Sequence, residues 1–323
     1  MSTADQKPLG SGFRAKSEPD ELLADIDLSG KTAIVTGGYS GIGLETTRAL
    51  ASKGAAVIVP VRDPAKAAEN LSTVAGNVSS AQMDLADLDS VRSFAASVLD
   101  AVDTLDILIN NAGIMACPLE RVGPGWESQF GVNHMGHFGL TAALMPLLEK
   151  AKAPRVVALS SIAHKRNSIL WDDIQFENGD YHKWVAYAQA KSANALFANG
   201  LSRRMAGFGG RAFSVHPGGI FTPLQRHLPQ EEQVEMGWLN KDGSVPSAVA
   251  EIFKSTSQGC TTSLWAATSS LLDDKHGLYC EDCDVAQLMD ENSPPFLPVA
   301  PHVCDDESAE PLWTLSESLL ALD

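Results

Sequence analysis

Residues 31–50 constrain the fold of this chain more strongly than any other part of its sequence. They begin with a β-branched run at residues 31–36, continue through a glycine-rich turn at residues 37–43, and then follow a helical period through Leu44, Ala49 and Leu50. A strand, a glycine turn and a helix in this order open a dinucleotide-binding βαβ unit. The sequence therefore predicts an α/β fold whose first turn faces a ligand.

The glycine turn has the spacing G-x3-G-x-G, formed by Gly37, Gly41 and Gly43. Glycines let the backbone turn tightly and approach a pyrophosphate, whose charge is stabilised by the N-terminus of the following helix. A glycine cluster alone often marks only a turn, but its position between a strand and a helix favours a binding loop. The residues of this turn predicted to contact the cofactor are Gly37, Tyr39, Ser40, Gly41, Ile42 and Gly43.

Further strand-like runs alternate with helical segments along the chain. The predicted strands cover residues 31–36, 56–61, 80–83, 105–110, 155–159 and 212–215. This alternation indicates a single Rossmann-type doubly wound parallel sheet flanked by helices. The predicted organisation is an N-terminal extension (1–27), a dinucleotide-binding catalytic domain (28–285) and a C-terminal extension (286–323) that ends in a helix over residues 311–322. Within the domain, residues 222–258 contain several Pro and Gly residues and are predicted to form a mobile substrate flap.

The residue that follows the second strand indicates which dinucleotide is bound. An acidic residue there binds the ribose hydroxyls of NAD(H), whereas a basic one accommodates the 2′-phosphate of NADP(H). Arg62 occupies this place, so NADP(H) is favoured over NAD(H), with an Arg62–Asp63 ion pair as the alternative. Asp84 and Leu85 follow the third strand and are candidates for the adenine edge. Asp84 is alternatively the N-cap of a helix that starts near Leu88.

Small and polar residues follow the fourth and fifth strands, where a parallel sheet places its ligand crevice. The fourth strand leads into Asn111, Ala112 and Gly113, and the fifth leads into Ser160 and Ser161. We expect both groups to lie at one edge of the sheet.

Tyr187 and Lys191 lie four residues apart in a predicted helix over residues 186–205, so their side chains share a face. A nearby ammonium favours the phenolate and is expected to lower the pKa of Tyr187 from its usual value near 10, which suits proton exchange close to neutral pH. The spacing alone is weak, because a solvated Lys beside a half-buried Tyr is common.

The net charge of the chain restricts the classes of partner that it is expected to bind. The formal net charge of −16 argues against nucleic acid or an anionic membrane as a main partner. There is no apolar run long enough to span a bilayer and no secretory signal, so a cytoplasmic location is expected. Cys280 and Cys283 have metal-like spacing, but a second pair is missing, and structural thiols are expected instead of a metal site.

Taken together, these residues resemble the short-chain dehydrogenase/reductase family. Several motifs carry the resemblance, in the family's order, over residues 30–285: Thr36-Gly37-x3-Gly41-Ile42-Gly43, Asn110-Asn111-Ala112-Gly113, Val132-Asn133-His134, Ser160-Ser161, Tyr187-x3-Lys191 and Pro217-Gly218. The residues 62–66, 132–138, 161–164 and the insert 165–184 further resemble its retinol-dehydrogenase-like branch.

The resemblance implies roles for particular residues. Tyr187 is the proton donor or acceptor, Lys191 lowers its pKa and contacts the nicotinamide ribose, Ser161 binds the substrate oxygen, and Asn133 positions a water that relays protons to Lys191. Tyr187, Lys191, Pro217, Gly218, Ile220 and Thr222 are further cofactor contacts. Relatives often pair through the helices that carry Asn133 and Tyr187, which implies a homodimer or homotetramer unless the extensions block that contact.

The substrate is expected to be a bulky hydrophobic small molecule with an alcohol or carbonyl group. The residues expected to flank its pocket are mostly apolar: Met115, Cys117, His164, Trp184, Ile220, Phe221 and Leu224. The function indicated is an NADP(H)-dependent oxidoreductase that interconverts a secondary alcohol and its ketone or aldehyde, with Tyr187 as general acid/base. The alternatives are a reductase of an activated C=C bond and a cofactor-binding regulatory protein on the same fold.

Overall fold

The computed structural model describes residues 5–293 and 298–321. The strands are β1 Thr32–Val35, β2 Ala56–Val61, β3 Val78–Gln82, β4 Ile107–Asn110, β5 Arg121–Val122, β6 Trp126–Glu127, β7 Arg155–Leu159, β8 Arg211–His216, β9 Tyr279–Glu281 and β10 Asp284–Val285. The α-helices are α1 Pro19–Leu22, α2 Gly41–Ser52, α3 Pro64–Leu71, α4 Leu88–Ala101, α5 Ser128–Phe130, α6 Gly136–Lys150, α7 Lys183–Met205, α8 Gln230–Glu235, α9 Ser247–Ile252, α10 Thr256–Thr268 and α11 Asp306–Leu320.

Eight of the strands form one central sheet in the order β10-β9-β8-β7-β4-β1-β2-β3. Every neighbouring pair from β9 to β3 is parallel, and only β10 runs antiparallel at its edge. The direction of strand succession reverses between β4 and β1, and ligands of such sheets bind outside the carboxyl ends of the strands at this point. The predicted doubly wound α/β fold is therefore confirmed.

Two hydrophobic layers bury the two faces of the sheet. One layer packs α4, α6, α7 and α11 against it, and the other packs α2, α3 and α10. Because both faces are covered, the inner strands read as almost continuous apolar runs, as in the fully buried β4 and β7. None of the helices in the described ranges is long and apolar enough to cross a membrane.

Several boundaries differ from the sequence prediction. Strands β9 and β10 were not predicted, because three- and two-residue strands leave almost no periodic signal. The helical stretch that carries Asn133 consists of α5 and α6 with a π-helical segment, Gly131–Met135, between them. The flap region is not irregular throughout, since it contains α8, α9 and a 3₁₀ segment, Pro223–His227.

Both extensions pack on the domain. The buried Gln6 amide donates to the Tyr279 and Ala286 carbonyls and accepts from the Tyr279 N–H, which ties the N-terminal extension to β9. The C-terminal helix α11 covers α7, and the rings of Trp313 and Phe197 stack 6.0 Å apart.

The buried residues of α11 are Ala309, Leu312, Trp313, Ser316 and Leu320. The sequence places Leu312, Leu315, Leu319 and Leu322 roughly on one face of this helix. Leu312 is buried, Leu319 is partly buried against the core, and Leu315 is partly buried. Leu322 lies outside the described residues.

Candidate active site

The carboxyl ends of the parallel strands open into a cleft of about 1350 Å³. The residue that follows each parallel strand lines this cleft: Thr36, Arg62, Met83, Asn111, Ser160, Pro217 and Asp282. All the predicted cofactor residues lie in its wall, namely Gly37, Tyr39, Ser40, Gly41, Ile42, Gly43, Arg62, Asp84, Leu85, Asn111, Ala112, Gly113, Tyr187, Lys191, Pro217, Gly218, Ile220 and Thr222. One continuous cavity therefore joins the glycine turn to Tyr187.

The glycine turn is built to admit a pyrophosphate. Gly37 and Gly41 have positive φ angles of 64° and 53°, which L side chains rarely adopt. A Cβ on Gly43 would lie 2.3 Å from the Gly37 carbonyl oxygen, so only glycine fits there. The N-cap Ser40 makes no side-chain hydrogen bond, which leaves the first N–H groups of α2 without a side-chain cap at the cleft wall. These features fit the diphosphate of a dinucleotide.

The end of the cleft beside β2, where the adenosine is expected, carries two cations. Arg62 and Lys66 both line it, and Lys66 was not predicted, because position 66 lies inside α3 rather than at a strand end. Asp63 does not pair with Arg62. Its carboxylate instead accepts the Lys66 backbone N–H at 3.1 Å as the N-cap of α3. The alternative role of Asp84 is also wrong, because Asp87 is the residue that caps α4.

Tyr187 and Lys191 meet on the floor of the cleft. The Lys191 Nζ lies 5.6 Å from the Tyr187 ring centroid and donates to the Leu159 carbonyl oxygen at 3.0 Å. Both side chains are almost fully buried. Because burial disfavours the charged form, the pKa of Lys191 is lowered to about 8.

The expected direction of the Tyr187 pKa shift is wrong. Burial raises the pKa of Tyr187 to about 12, and the hydrogen bond between its hydroxyl and that of Ser161 offsets this rise only in part. The Lys191 ammonium lies over the ring face. Tyr187 is therefore a protonated acid throughout the neutral pH range.

Asn133 lies in the π-helical segment and does not line the cleft. Its side-chain amide accepts the Ile114 N–H at 2.8 Å and donates to the Ile114 carbonyl at 2.9 Å. The backbone carbonyl oxygen of Asn133 accepts a hydrogen bond from the His137 Nδ1 at 2.9 Å. The amide therefore clamps the segment that follows β4, and the proton-relay role of Asn133 stays a prediction.

The substrate end of the cleft is walled by apolar side chains. Met115, Tyr187, Trp184, Leu224 and Trp238 belong to one packed cluster. Trp238 was missed by sequence reasoning, because it lies in the irregular flap. Arg166 and Arg226 line the same cavity.

Three predicted substrate residues lie elsewhere. Phe221 packs on Phe253, with ring centroids 4.8 Å apart, and does not line the cleft. His164 is 1% exposed and lies behind the serine loop, and Cys117 is buried outside the cleft wall. The cleft instead includes residues that gave no sequence signal, among them Lys16 of the N-terminal extension and Lys254, which forms a 2.7 Å ion pair with Asp282.

Within the described ranges, no group of three or more His, Cys, Asp or Glu side chains is arranged to hold a metal ion. The cysteines are free, buried thiols. The features of the cleft that bear on ligand binding are its glycine turn, its cations and its Tyr/Lys pair.

The fold and the cleft define a Rossmann-type dinucleotide-binding protein with a buried Tyr/Lys pair. Comparison with known proteins defines its family. The family model described as short chain dehydrogenase matches residues 31–233. Short-chain dehydrogenase/reductase prx1 of Penicillium roqueforti is 37% identical over 313 residues, which cover 94% of this chain and 89% of that protein.

Two further relatives agree. Retinol dehydrogenase 12 of Homo sapiens is 35% identical over 303 residues, covering 92% of this chain and 89% of that protein. A crystal structure of a protein from Mycobacterium paratuberculosis matches with a TM-score of 0.70 at 35% identity, covering 92% of this chain and 96% of that one. The chain belongs to the short-chain dehydrogenase/reductase family, in its retinol-dehydrogenase-like branch. It is an oxidoreductase that uses a nicotinamide cofactor.

Proposed function

We propose that this protein is an NADP(H)-dependent oxidoreductase that interconverts a bulky hydrophobic secondary alcohol and its ketone or aldehyde, with Tyr187 as the general acid/base. The observation that carries the proposal is the position of Tyr187. Its hydroxyl is hydrogen-bonded to Ser161, and its ring belongs to the apolar cluster at the substrate end of the cleft. Lys191 lies beside the same ring.

In the reducing direction, each of the three side chains has a separate role. The nicotinamide cofactor supplies the hydride when bound. Tyr187 donates its proton to the substrate oxygen as negative charge grows there, and Ser161 donates a hydrogen bond to the same oxygen. The Ser161 hydroxyl is oriented by the Ala163 N–H, from which its oxygen accepts at 3.2 Å. The Lys191 ammonium then stabilises the phenolate. In oxidation each step runs in reverse.

The preference for NADP(H) rests on Arg62 and Lys66. Both cations line the adenosine end of the cleft, and Asp63 is engaged in capping α3. The 2′-phosphate of NADP(H) is negatively charged, and a pair of cations such as these binds it.

Arg62→Ala is expected to weaken NADPH binding roughly 10- to 150-fold and to leave NADH binding nearly unchanged, since a charge-assisted hydrogen bond contributes about 1.5–3 kcal/mol. Titration of tryptophan fluorescence with each cofactor measures this. Arg92→Ala is the matched control, because Arg92 lies on α4 in an exposed ion pair with Asp89. An equal loss for both cofactors would remove the phosphate contact from the proposal.

A substrate screen tests the proposed reaction. Purified protein is mixed with hydrophobic ketones, their alcohols and activated enones, with both cofactors, and the absorbance of the reduced nicotinamide is followed. We expect turnover of bulky ketones and alcohols, faster with NADP(H). Turnover of enones alone would establish the C=C reductase alternative. Cofactor binding without any turnover would favour the regulatory alternative.

The pH profile of ketone reduction is expected to fall as pH rises through about 8. Tyr187, with its pKa raised to about 12, stays protonated over this range. Lys191, with its pKa lowered to about 8, is charged below that pH and loses its proton above it. The lost ammonium no longer stabilises the phenolate left on Tyr187. The ratio kcat/KM for the ketone between pH 6 and 10, in the wild type and in Lys191→Met, measures this. A fall near pH 8 that persists in Lys191→Met would refute the assignment.

A further inference from the structure

His164 is a buried, hydrogen-bonded side chain near the cleft that the proposed reaction does not use. It is three residues beyond Ser161 in a 3₁₀ segment, Ile162–Arg166, and is 1% exposed. Its ring does not line the cleft. Instead, Nδ1 contacts Ser161 and Tyr279, and Nε2 contacts Ala300.

The hydrogen bonds fix which ring nitrogen carries the proton. The His164 Nε2 accepts the Ala300 N–H at 3.1 Å, so it holds no proton. Burial lowers the pKa of His164 to about 3, and the ring is therefore neutral with its proton on Nδ1. The Nδ1–H donates to the Ser161 carbonyl oxygen at 2.6 Å. The same oxygen accepts the His164 backbone N–H at 3.1 Å.

A second set of bonds joins the C-terminal extension to the same loop. The His302 Nε2–H donates to the His164 carbonyl at 3.0 Å. The Tyr279 hydroxyl lies 3.2 Å from the His164 Nδ1 and is hydrogen-bonded to Ser160. Ser160 in turn donates to the Lys191 carbonyl at 2.8 Å. The network therefore reaches the backbone of both Ser161 and Lys191.

We propose that His164 is a positioning residue: its Nδ1–H holds the carbonyl group of Ser161 and thereby keeps the Ser161 hydroxyl directed toward the substrate oxygen. This inference rests on the proposed function, in which Ser161 donates to that oxygen. Ser161 has an extended backbone (φ −163°, ψ 158°) where β7 leads into the 3₁₀ segment. A shift of this backbone would move the Ser161 Cα and, with it, the hydroxyl. A displacement of about 1 Å at such a group can cost roughly 100-fold in turnover.

Two substitutions separate the two functions of the ring. In His164→Asn, the amide nitrogen takes the place of Nδ1, so the donor to Ser161 remains and the acceptor for Ala300 is lost. In His164→Gln, the amide oxygen reaches the place of Nε2, so the acceptor for Ala300 remains and the donor to Ser161 is lost. The pair therefore tests which contact matters for turnover.

For a ketone found in the screen, His164→Gln is expected to lower kcat roughly 10- to 100-fold, with the KM of the ketone and the Kd of NADPH unchanged. The conservative His164→Asn is expected to restore kcat to within about threefold of the wild type. Wild-type kcat in His164→Gln overturns the proposal. A parallel loss of kcat, melting temperature and NADPH binding in both variants also overturns it, because that is the signature of a purely structural histidine.

If neither variant folds, the imidazole ¹⁵N chemical shifts of His164 in the wild-type protein decide. A ring protonated on Nδ1 supports the proposal, whereas a ring protonated on Nε2 overturns it, because it has no proton to donate to the Ser161 carbonyl. The proposed function fails on a different result, namely wild-type turnover in Tyr187→Phe, which is independent of His164.

Discussion

Tyr187→Phe is expected to lower kcat by roughly 10²- to 10⁴-fold, the usual contribution of a positioned general acid. The substitution removes only the hydroxyl that donates the proton, and the ring keeps its place against Trp184, 6.1 Å away. Because a fully buried phenol has its pKa raised to about 12, no other state of this residue supplies the proton near neutral pH. Steady-state kinetics with the best ketone of the screen measures the loss, and fluorescence titration is expected to show an unchanged Kd for NADPH.

Tyr181→Phe is the matched control for this experiment. The Tyr181 hydroxyl donates to the Cys117 carbonyl at 2.9 Å and does not line the cleft. We expect its turnover to stay close to that of the wild type. Equal turnover in Tyr187→Phe and in the wild type would remove Tyr187 as the acid.

Gly43→Ala is expected to weaken the binding of both cofactors by roughly 5- to 150-fold. A Cβ at this position would lie 2.3 Å from the Gly37 carbonyl oxygen and 2.5 Å from the Asn111 Nδ2. Relief of such overlap costs about 1–3 kcal/mol, and it moves the turn that approaches the pyrophosphate. Fluorescence titration with NADPH and NADH measures the loss, which is expected to be similar for the two because both carry the diphosphate.

Gly207→Ala provides the control, since no atom lies within 4 Å of the Cβ it would add. We expect its cofactor affinity and melting temperature to match those of the wild type. Wild-type affinity in Gly43→Ala would show that the turn does not approach the diphosphate.

The sequence was sufficient for those features of the fold that local residue types determine. The β-branched and apolar run of β7 places that strand at residues 155–159 without error, because a strand buried on both faces needs such residues throughout. The glycine turn before α2 was found for a similar reason, since Gly37 and Gly43 occupy places that other residues fit poorly.

Features that depend on distant residues were not predictable. His164 lies three residues after Ser161, which suggested a pocket residue, yet its partners Tyr279 and Ala300 are 115 and 136 positions away. Phe221 lies outside the cleft wall and packs on Phe253, which is in the link after α9. Neither contact has a periodic signal in the sequence.

The predicted direction of the Tyr187 pKa shift was wrong for a different physical reason. The spacing of Tyr187 and Lys191 shows that a cation is near, but it does not show how deeply both groups are buried. Desolvation by burial is the main cause of both shifts: it raises the pKa of the phenol and lowers that of the ammonium. Burial is a property of the whole fold, so it is accessible only from the structure.

The central claim is that the cleft holds a nicotinamide dinucleotide with its reactive ring beside Tyr187. A crystal structure of the protein with NADP⁺ tests it most directly. We expect the nicotinamide ring next to the Tyr187 hydroxyl, the diphosphate at the Gly37–Gly43 turn and the 2′-phosphate between Arg62 and Lys66. A dinucleotide bound outside this cleft, or bound with its nicotinamide ring away from Tyr187, would contradict the account.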